Sequence, residues 1–420
     1  MKNIAVVVQR YGIEVNGGAE FHARILSEQL AKTYNVEILT STALDYHGWD
    51  NYYKQGLHEV NGISVRRFPT IKLPGRKTRI ARRAILQRKK YFKILKFLGI
   101  FDSIDLNFKI SSVTNKNIHD WIEGQGPYMP DLVKHISDHK DDYDVFIFFT
   151  YLYYPTVRGM PLVGEKSIFI PTAHDEPLLY TKPYEHIFQV PKFIMYNTES
   201  EKLLVEKIFK GISPNANVAG VGITPCARNL ETLPQNIIPK KYFIYIGRID
   251  SAKGCDQMVS YFIEFIKKNP KYSEYKLVLV GKNFMKRSSS NSSVIYTGFI
   301  SEELKNTYLV NSLAMIMPSL YESLSLVTLE AMAVGKSVIV NHNCEVLRNH
   351  IIESGVGASY STRQEFADKL IDYIEKNAND LEVEGGLAKK YVSENYSWAT
   401  VLQKFHNAIN FVTAKSGDPL

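Results

Sequence analysis

The stretch Ala314-Met315-Ile316-Met317-Pro318-Ser319-Leu320-Tyr321-Glu322-Ser323-Leu324-Ser325-Leu326-Val327-Thr328-Leu329-Glu330-Ala331-Met332-Ala333-Val334-Gly335-Lys336-Ser337-Val338-Ile339-Val340 reads as strand, loop, helix, strand. Four apolar residues stop at Pro318, a polar loop follows, an apolar helix runs from Leu326 to a glycine stop at Gly335, and a second apolar run begins at Ser337. Two strands joined by a helix form a βαβ unit, which commits the chain to a parallel sheet with helices on its faces.

Outward from that unit, short apolar runs alternate with helical patterns twice over. One series comprises Tyr242 to Ile246, Leu277 to Val280, Val294 to Thr297, Ala314 to Met317 and Ser337 to Val340. The other comprises Ile4 to Val8, Val36 to Leu39, Asp144 to Phe149, Ser167 to Ile170 and Phe193 to Tyr196. Gly220 to Lys240, with Pro225, Pro234 and Pro239, reads as the connection between them, and Ser397-Trp398 opens a closing helix capped by Ser397. The expected fold is α/β, with two Rossmann-like doubly wound domains facing a central cleft: residues 1–224 plus 396–420, and residues 225–395. Ligands of such sheets bind at the carboxyl ends of the strands.

Composition narrows the class. The 420 residues are 45% hydrophobic and 22% charged, which excludes fibrous and disordered chains. Cys226, Cys255 and Cys344 are too few and too scattered for a disulfide framework or a zinc site, which points to a reducing cytoplasm. The greasiest stretch, Val145 to Tyr154, is half the length of a membrane span and is broken by Thr150, and Met1 to Val8, with one Lys, five apolar residues in a row and no small-residue cleavage site, gives no expectation of secretion. The net charge of +8 is concentrated: Lys72 to Lys96 holds eleven basic residues and no acidic one, which leaves −3 for the remainder.

Four strand ends carry chemistry. Glu322 lies in the loop before the Leu326 helix, where carboxylates and free N–H groups meet ligand hydroxyls. Glu330 sits among apolar neighbours and is costly unless donors surround it; vicinal ribose hydroxyls would serve, and the alternative is an amphipathic helix with one solvated Glu. In Tyr242 to Gly254, Gly247 permits close approach, while Arg248 and Lys253 suit a diphosphate; two surface cations in a loop are the alternative. Asn16-Gly17-Gly18-Ala19-Glu20 joins the first strand to a helix, either as a flat phosphate turn or as a plain tight turn. Pro171-Thr172-Ala173-His174-Asp175-Glu176-Pro177 puts an imidazole and two carboxylates at a strand's carboxyl end; a capped or solvated histidine is the alternative.

Together these residues resemble glycosyltransferase family 4, the retaining nucleotide-sugar transferases of the GT-B fold. The resemblance spans nearly the whole chain, including the Ala-Met-Ala-x-Gly after Glu330 and the terminal Ser-Trp helix. It implies a UDP- or GDP-type donor as substrate, no cofactor and no metal. It also implies Arg248 and Lys253 on the diphosphate, Glu330 on the ribose, Glu322 on the donor sugar, His174 near its far hydroxyls, and Gly17 and Gly18 under the phosphates. Gly247, Ser323, Leu324, Ser325 and Leu326 complete the donor set. The family usually has Gly-Phe-Gly where this chain has Ser323-Leu324-Ser325, so the serines narrow the space and add hydroxyls.

The expected reaction is hexosyl transfer with retention to a glycan or lipid-linked acceptor in bacterial cell-surface polysaccharide synthesis. Glu322 has no carboxylate partner suited to double displacement, so a front-face route is expected, with the departing diphosphate taking the acceptor proton. Lys72 to Lys96, with Arg82, Arg83, Lys89 and Lys90, is assigned to the acceptor or to an anionic membrane surface, placing a cytoplasmic protein on the inner face of the membrane. A solvated basic helix or contact with an anionic glycan are alternatives. Two rival functions are a sugar-nucleotide epimerase or hydrolase on the same fold, and a nucleic-acid-binding protein using the basic segment; the −3 of the remainder argues against the latter.

Overall fold

The computed structural model describes residues 1–15, 17–46, 48–86, 113–224, 231–285 and 289–414. The chain divides into two compact units, Met1–Gly220 with Leu402–Leu420, and Val221–Val401. Each is built on one sheet.

The first sheet contains β1 (Asn3–Val7), β2 (Asn35–Ser41), β3 (Gly56–Val60), β4 (Ile63–Phe68), β5 (Val145–Phe149), β6 (Ser167–Ile170), β7 (Phe193–Tyr196) and β8 (Ala216–Val218), in the order β3-β4-β2-β1-β5-β6-β7-β8. All pairings are parallel except the β3–β4 hairpin. Every residue of β5 is buried, as expected of a central parallel strand covered on both faces. Phe146, Phe148, Phe169 and Phe188 fill the adjoining core with Tyr151 and Tyr184. The second sheet contains β9 (Tyr242–Ile246), β10 (Lys276–Val280), β11 (Val294–Gly298), β12 (Met315–Met317), β13 (Val338–Asn341) and β14 (Ala358–Tyr360), in the order β11-β10-β9-β12-β13-β14. All of its pairings are parallel. These are the two doubly wound sheets of the GT-B fold, with four strands beyond the sequence expectation: β3, β4, β8 and β14.

The strand order reverses between β1 and β5 in one sheet and between β9 and β12 in the other. Such switch points open a crevice at the carboxyl ends of the adjoining strands. In the second unit the loops at that crevice are those carrying Gly247 to Lys253 and Glu322 to Ser325.

The helix Trp398–Thr413 starts in the second unit and finishes in the first. Ser397 Oγ accepts from Thr400 N at 3.2 Å, as the cap expected of it. Ile223 N bonds to Tyr396 O at 2.8 Å and Trp398 Nε1 to Thr224 Oγ1 at 3.1 Å, which ties these residues to the second unit and moves its edges outward from the expected 225 and 395. Farther along, Lys2 Nζ donates to Asn410 Oδ1 at 2.9 Å, Tyr34 OH meets His406 Nδ1 at 2.8 Å, and Phe193 packs edge-on to Phe411. Among the described residues no helix is long and apolar enough to cross a membrane.

Candidate functional site

β9 is followed directly by Gly247, whose φ of +143° favours glycine. Gly281, at the end of neighbouring β10, has a φ of +136°, and a Cβ there would stand 2.0 Å from Gly247 O. Two side-chain-free positions thus let adjacent strand ends close up. Beyond them Arg248 pairs with Asp250. Asp250 also caps the turn Ser251–Lys253, accepting from Lys253 N at 2.9 Å. Gly254 follows in the left-handed region, where a Cβ would lie 2.7 Å from Pro318 O. The loop after β9 therefore lies directly against the loop after β12. Across that seam Lys253 Nζ donates to Glu322 Oε1 at 2.6 Å.

The β12 loop ends in a strained step. Ser325, at φ +64° and ψ +71°, is the N-cap of the helix Leu326–Ala333, a left-handed conformation that costs a non-glycine residue about 1–2 kcal/mol. Its Oγ lies 2.8 Å from Thr328 Oγ1, and Thr328 N donates to its carbonyl at 3.0 Å. Leu324 is buried, and its carbonyl accepts from His350 Nε2 at 2.8 Å. One turn along the helix, Glu330 is largely buried, and burial raises its carboxyl pKa against the pull of Lys305. Lys305 Nζ lies 3.1 Å from Glu330 Oε2 and 2.6 Å from Glu302 Oε2. Burial works against the Lys305 ammonium, but the two glutamates together hold its pKa above the ordinary value.

In the first unit, Gly17 is the N-cap of the helix Gly18–Leu30, with φ +153°, and a Cβ there would run into Glu20 Oε2 at 2.0 Å. A Cβ at Gly18 would meet nothing within 4 Å, so internal packing does not call for glycine there. Glu20 is buried against Arg10, whose Nε and Nη2 lie 3.0 and 2.5 Å from Oε1. The end of β1 is tied to the end of β5 where Thr150 Oγ1 donates to Gln9 Oε1 at 2.9 Å. His174 follows β6; its Nε2 stands 3.7 Å from Glu176 Oε1, and Glu176 accepts from the buried Tyr151 hydroxyl at 2.6 Å. The preceding Thr172 is β-branched at φ +50°, an outlying conformation for such a residue. Its neighbour Ala173 donates its N–H to Glu201 Oε1 at 2.5 Å, while Asn197 N donates to Glu201 Oε2 at 2.6 Å. Burial pushes the Glu201 carboxyl up to about 8, with the backbone N–H groups working the other way.

The sequence-derived residues thus fall into separate groups. Gly247, Arg248, Lys253, Glu322, Ser323, Leu324, Ser325, Leu326 and Glu330 belong to the β9 and β12 loops and the helix they lead into. Gly17, Gly18 and His174 lie at carboxyl ends of the first sheet. Arg82 and Arg83 are exposed on the helix Gly75–Leu86, which buries Ala81 and Ile85 and carries no acidic residue in its first turn. Lys89 and Lys90, like Cys226, lie outside the described residues. Glu176 was read as a carboxylate beside His174 but given no role; Asp250, Lys305, His350, Arg10 and Glu201 were not foreseen, and each is a partner of a foreseen residue or of its loop.

Residues 233–390, which contain both loops, match the family model for Glycosyl transferases group 1. That segment of the chain belongs to the group 1 glycosyltransferases. An uncharacterized glycosyltransferase of Methanocaldococcus jannaschii is 23% identical over 437 residues, covering 99% of each chain. The lipopolysaccharide 1,2-N-acetylglucosaminetransferase of Salmonella typhimurium is 23% identical over 216 residues, 44% of this chain and 55% of that one. In structure, the sucrose-phosphate synthase of Thermosynechococcus elongatus superposes with a TM-score of 0.68 at 15% identity, over 99% of this chain and 100% of its own. As a member of the group, this glycosyltransferase transfers a sugar from a nucleotide-sugar donor.

Proposed function

We propose that the enzyme is a retaining, metal-independent hexosyltransferase that uses a UDP- or GDP-sugar and a glycan or lipid-linked acceptor in cell-surface polysaccharide synthesis. The observation that carries this reading is the Lys253–Glu322 pair, at 2.6 Å, bridging the two loops at the switch point of the second sheet. Without a donor, Arg248 and Lys253 are neutralised by Asp250 and Glu322. A diphosphate is a stronger partner for both cations than a single carboxylate, so its arrival would free Glu322 to accept from sugar hydroxyls. The N–H groups that open the Leu326–Ala333 helix add donors for phosphate oxygens.

In the proposed step the bond from the sugar's anomeric carbon to the diphosphate breaks, and its electron pair leaves with the diphosphate. Arg248 and Lys253 stabilise that developing charge. The acceptor hydroxyl gives its proton to a leaving phosphate oxygen and bonds to the anomeric carbon on the same face, so configuration is kept. Glu330 is assigned to the ribose, and Glu322 and His174 are assigned catalytic roles. The first unit is assigned to the acceptor, and its basic segment Lys72 to Lys96 to an anionic membrane surface. The lipopolysaccharide acceptor named for the Salmonella relative supports the polysaccharide assignment.

Isothermal titration with UDP and GDP tests the donor reading. Arg248→Ala and Lys253→Ala each remove charge-assisted bonds worth about 1.5–3 kcal/mol and should weaken the preferred diphosphate about tenfold or more. Parent-like affinity in both variants would remove the diphosphate assignment. His174→Ala should lower kcat with donor affinity kept.

A further inference from the structure

We infer that His350 is a positioning residue for the Leu324–Ser325 peptide, holding the amide donors of the helix start in the orientation that receives the donor's diphosphate. This deepens the donor reading above and rests on it. His350 lies on the helix Glu345–Ser354 and is 2% exposed. Its Nε2 is 2.8 Å from Leu324 O, and because a carbonyl only accepts, that nitrogen carries the proton. Nδ1 is 2.9 Å from the Tyr391 hydroxyl, which also lies 2.9 Å from Glu353 Oε2. The rings of Tyr391 and Tyr396 stand edge-on to the imidazole at centroid distances of 6.0 and 5.9 Å. The imidazole is therefore held at Nε2 by its bond to Leu324 O, at Nδ1 by contact with a Tyr391 hydroxyl whose one proton is shared with Glu353, and on its flanks by the two rings.

The consequence follows from peptide geometry. A trans peptide is planar, and its C=O and the following N–H point in opposite directions. With Leu324 O captured on the buried side, Ser325 N–H is turned the other way. Among the described residues, Ser325, Leu326 and Val327 N–H have no acceptor, as the opening amides of a helix do when left for a ligand. Ser325 holds φ +64° without being glycine, and such strain persists only where the surroundings over-determine it. Two contacts do so here: the His350 bond to the preceding carbonyl and the Ser325–Thr328 hydroxyl pair. Losing the first lets the peptide flip, which swaps an N–H for a carbonyl oxygen and turns an attractive dipole into a repulsive one toward phosphate.

Titration calorimetry with UDP and GDP, and with uridine and guanosine as phosphate-free controls, tests this. His350→Leu, which keeps bulk and removes the donor, should bind the preferred diphosphate about tenfold more weakly and leave the nucleoside unchanged. His350→Gln, whose amide can still donate to Leu324 O, should stay within about threefold of the parent. Tyr391→Phe, which frees the ring at Nδ1, should fall between them. A folded His350→Leu protein with parent affinity for the diphosphate would overturn the inference, as would equal losses for diphosphate and nucleoside. If His350→Leu does not fold, Tyr391→Phe decides: a loss confined to the diphosphate supports the role, and parent affinity overturns it. A parent that binds neither diphosphate overturns the donor reading itself, an outcome separate from any His350 result.

Discussion

Replacing Lys305 with Met strips Glu330 of its counter-charge while keeping the length of the side chain. The two groups lie 3.1 Å apart, with Lys305 12% and Glu330 19% exposed. At an effective dielectric of about 20, their gross attraction is about 5 kcal/mol. Solvent at the exposed edges and the second pairing with Glu302 halve what is recovered, so Lys305→Met should cost about 2–3 kcal/mol at pH 7.5. Glu330 has a folded-state pKa above its unfolded value. Its charge therefore opposes folding as pH rises from the unfolded carboxylate range through that raised pKa, and the penalty of the variant should shrink toward pH 5 as Glu330 takes up a proton. Hydrogen exchange of the Leu326–Ala333 amides, read by mass spectrometry at both pH values, measures this locally. Adding Glu330→Gln to Lys305→Met should recover most of the loss, because no buried charge is then left unpaired. Parent-like protection in the single variant, or no recovery in the double variant, would refute the buried-pair account.

Glu201, raised to about 8, contributes stability that is full below the unfolded carboxylate range and is lost as pH rises through 8. The Tm gap between the parent and Glu201→Gln should therefore be widest near pH 5 and narrow toward pH 9; a constant gap would contradict the assignment. Ser325→Gly exchanges relieved strain for backbone entropy and a lost hydroxyl contact, so it should lie within about 1 kcal/mol of the parent, whereas β-branched Ser325→Val should cost about 1–3 kcal/mol more by urea unfolding. Replacing Arg82, Arg83, Lys89 and Lys90 with Gln should release the protein from anionic vesicles, since each cation near such a surface contributes about 1 kcal/mol, and salt should release the parent. Equal recovery of parent and variant in the supernatant would remove the membrane assignment.

Most of the sheet strands that could be read from sequence are buried on both faces, where an unbroken apolar run is obligatory; the half-buried edge strand β11 is the exception. Tyr242 to Ile246 and Phe193 to Tyr196 match β9 and β7 residue for residue. β4 was hidden because Arg66 and Arg67 interrupt it; only the fold shows that Arg66 reaches Glu37 while Arg67 lies over the Tyr53 ring. β3, β8 and β14 lie at sheet edges, and β8 and β14 are only three residues long, too short to print a period. At the site, Gly247, Lys253 and Glu322 were legible because each follows a strand, where topology concentrates chemistry. Lys305 and His350 were not: each sits on a helix of ordinary polarity and meets its partner 25 or 26 residues away, a relation that exists only in three dimensions.

The returning helix has a consequence in time. Val221–Val401 is one uninterrupted stretch and can begin folding as it leaves the ribosome. The other unit cannot be completed then, because Asn410, His406 and Phe411, which meet Lys2, Tyr34 and Phe193, are made after the whole inserted stretch. At 5–20 residues per second, the intervening span of about 180 residues takes roughly 10–40 s to synthesise. Throughout that interval the outer face of β7 and the neighbourhood of Lys2 and Tyr34 lack their cover. The nascent amino-terminal half therefore presents apolar surface to chaperones for longer than its own folding would require, and the yield of active enzyme should depend on their supply more than on the stability of the finished protein.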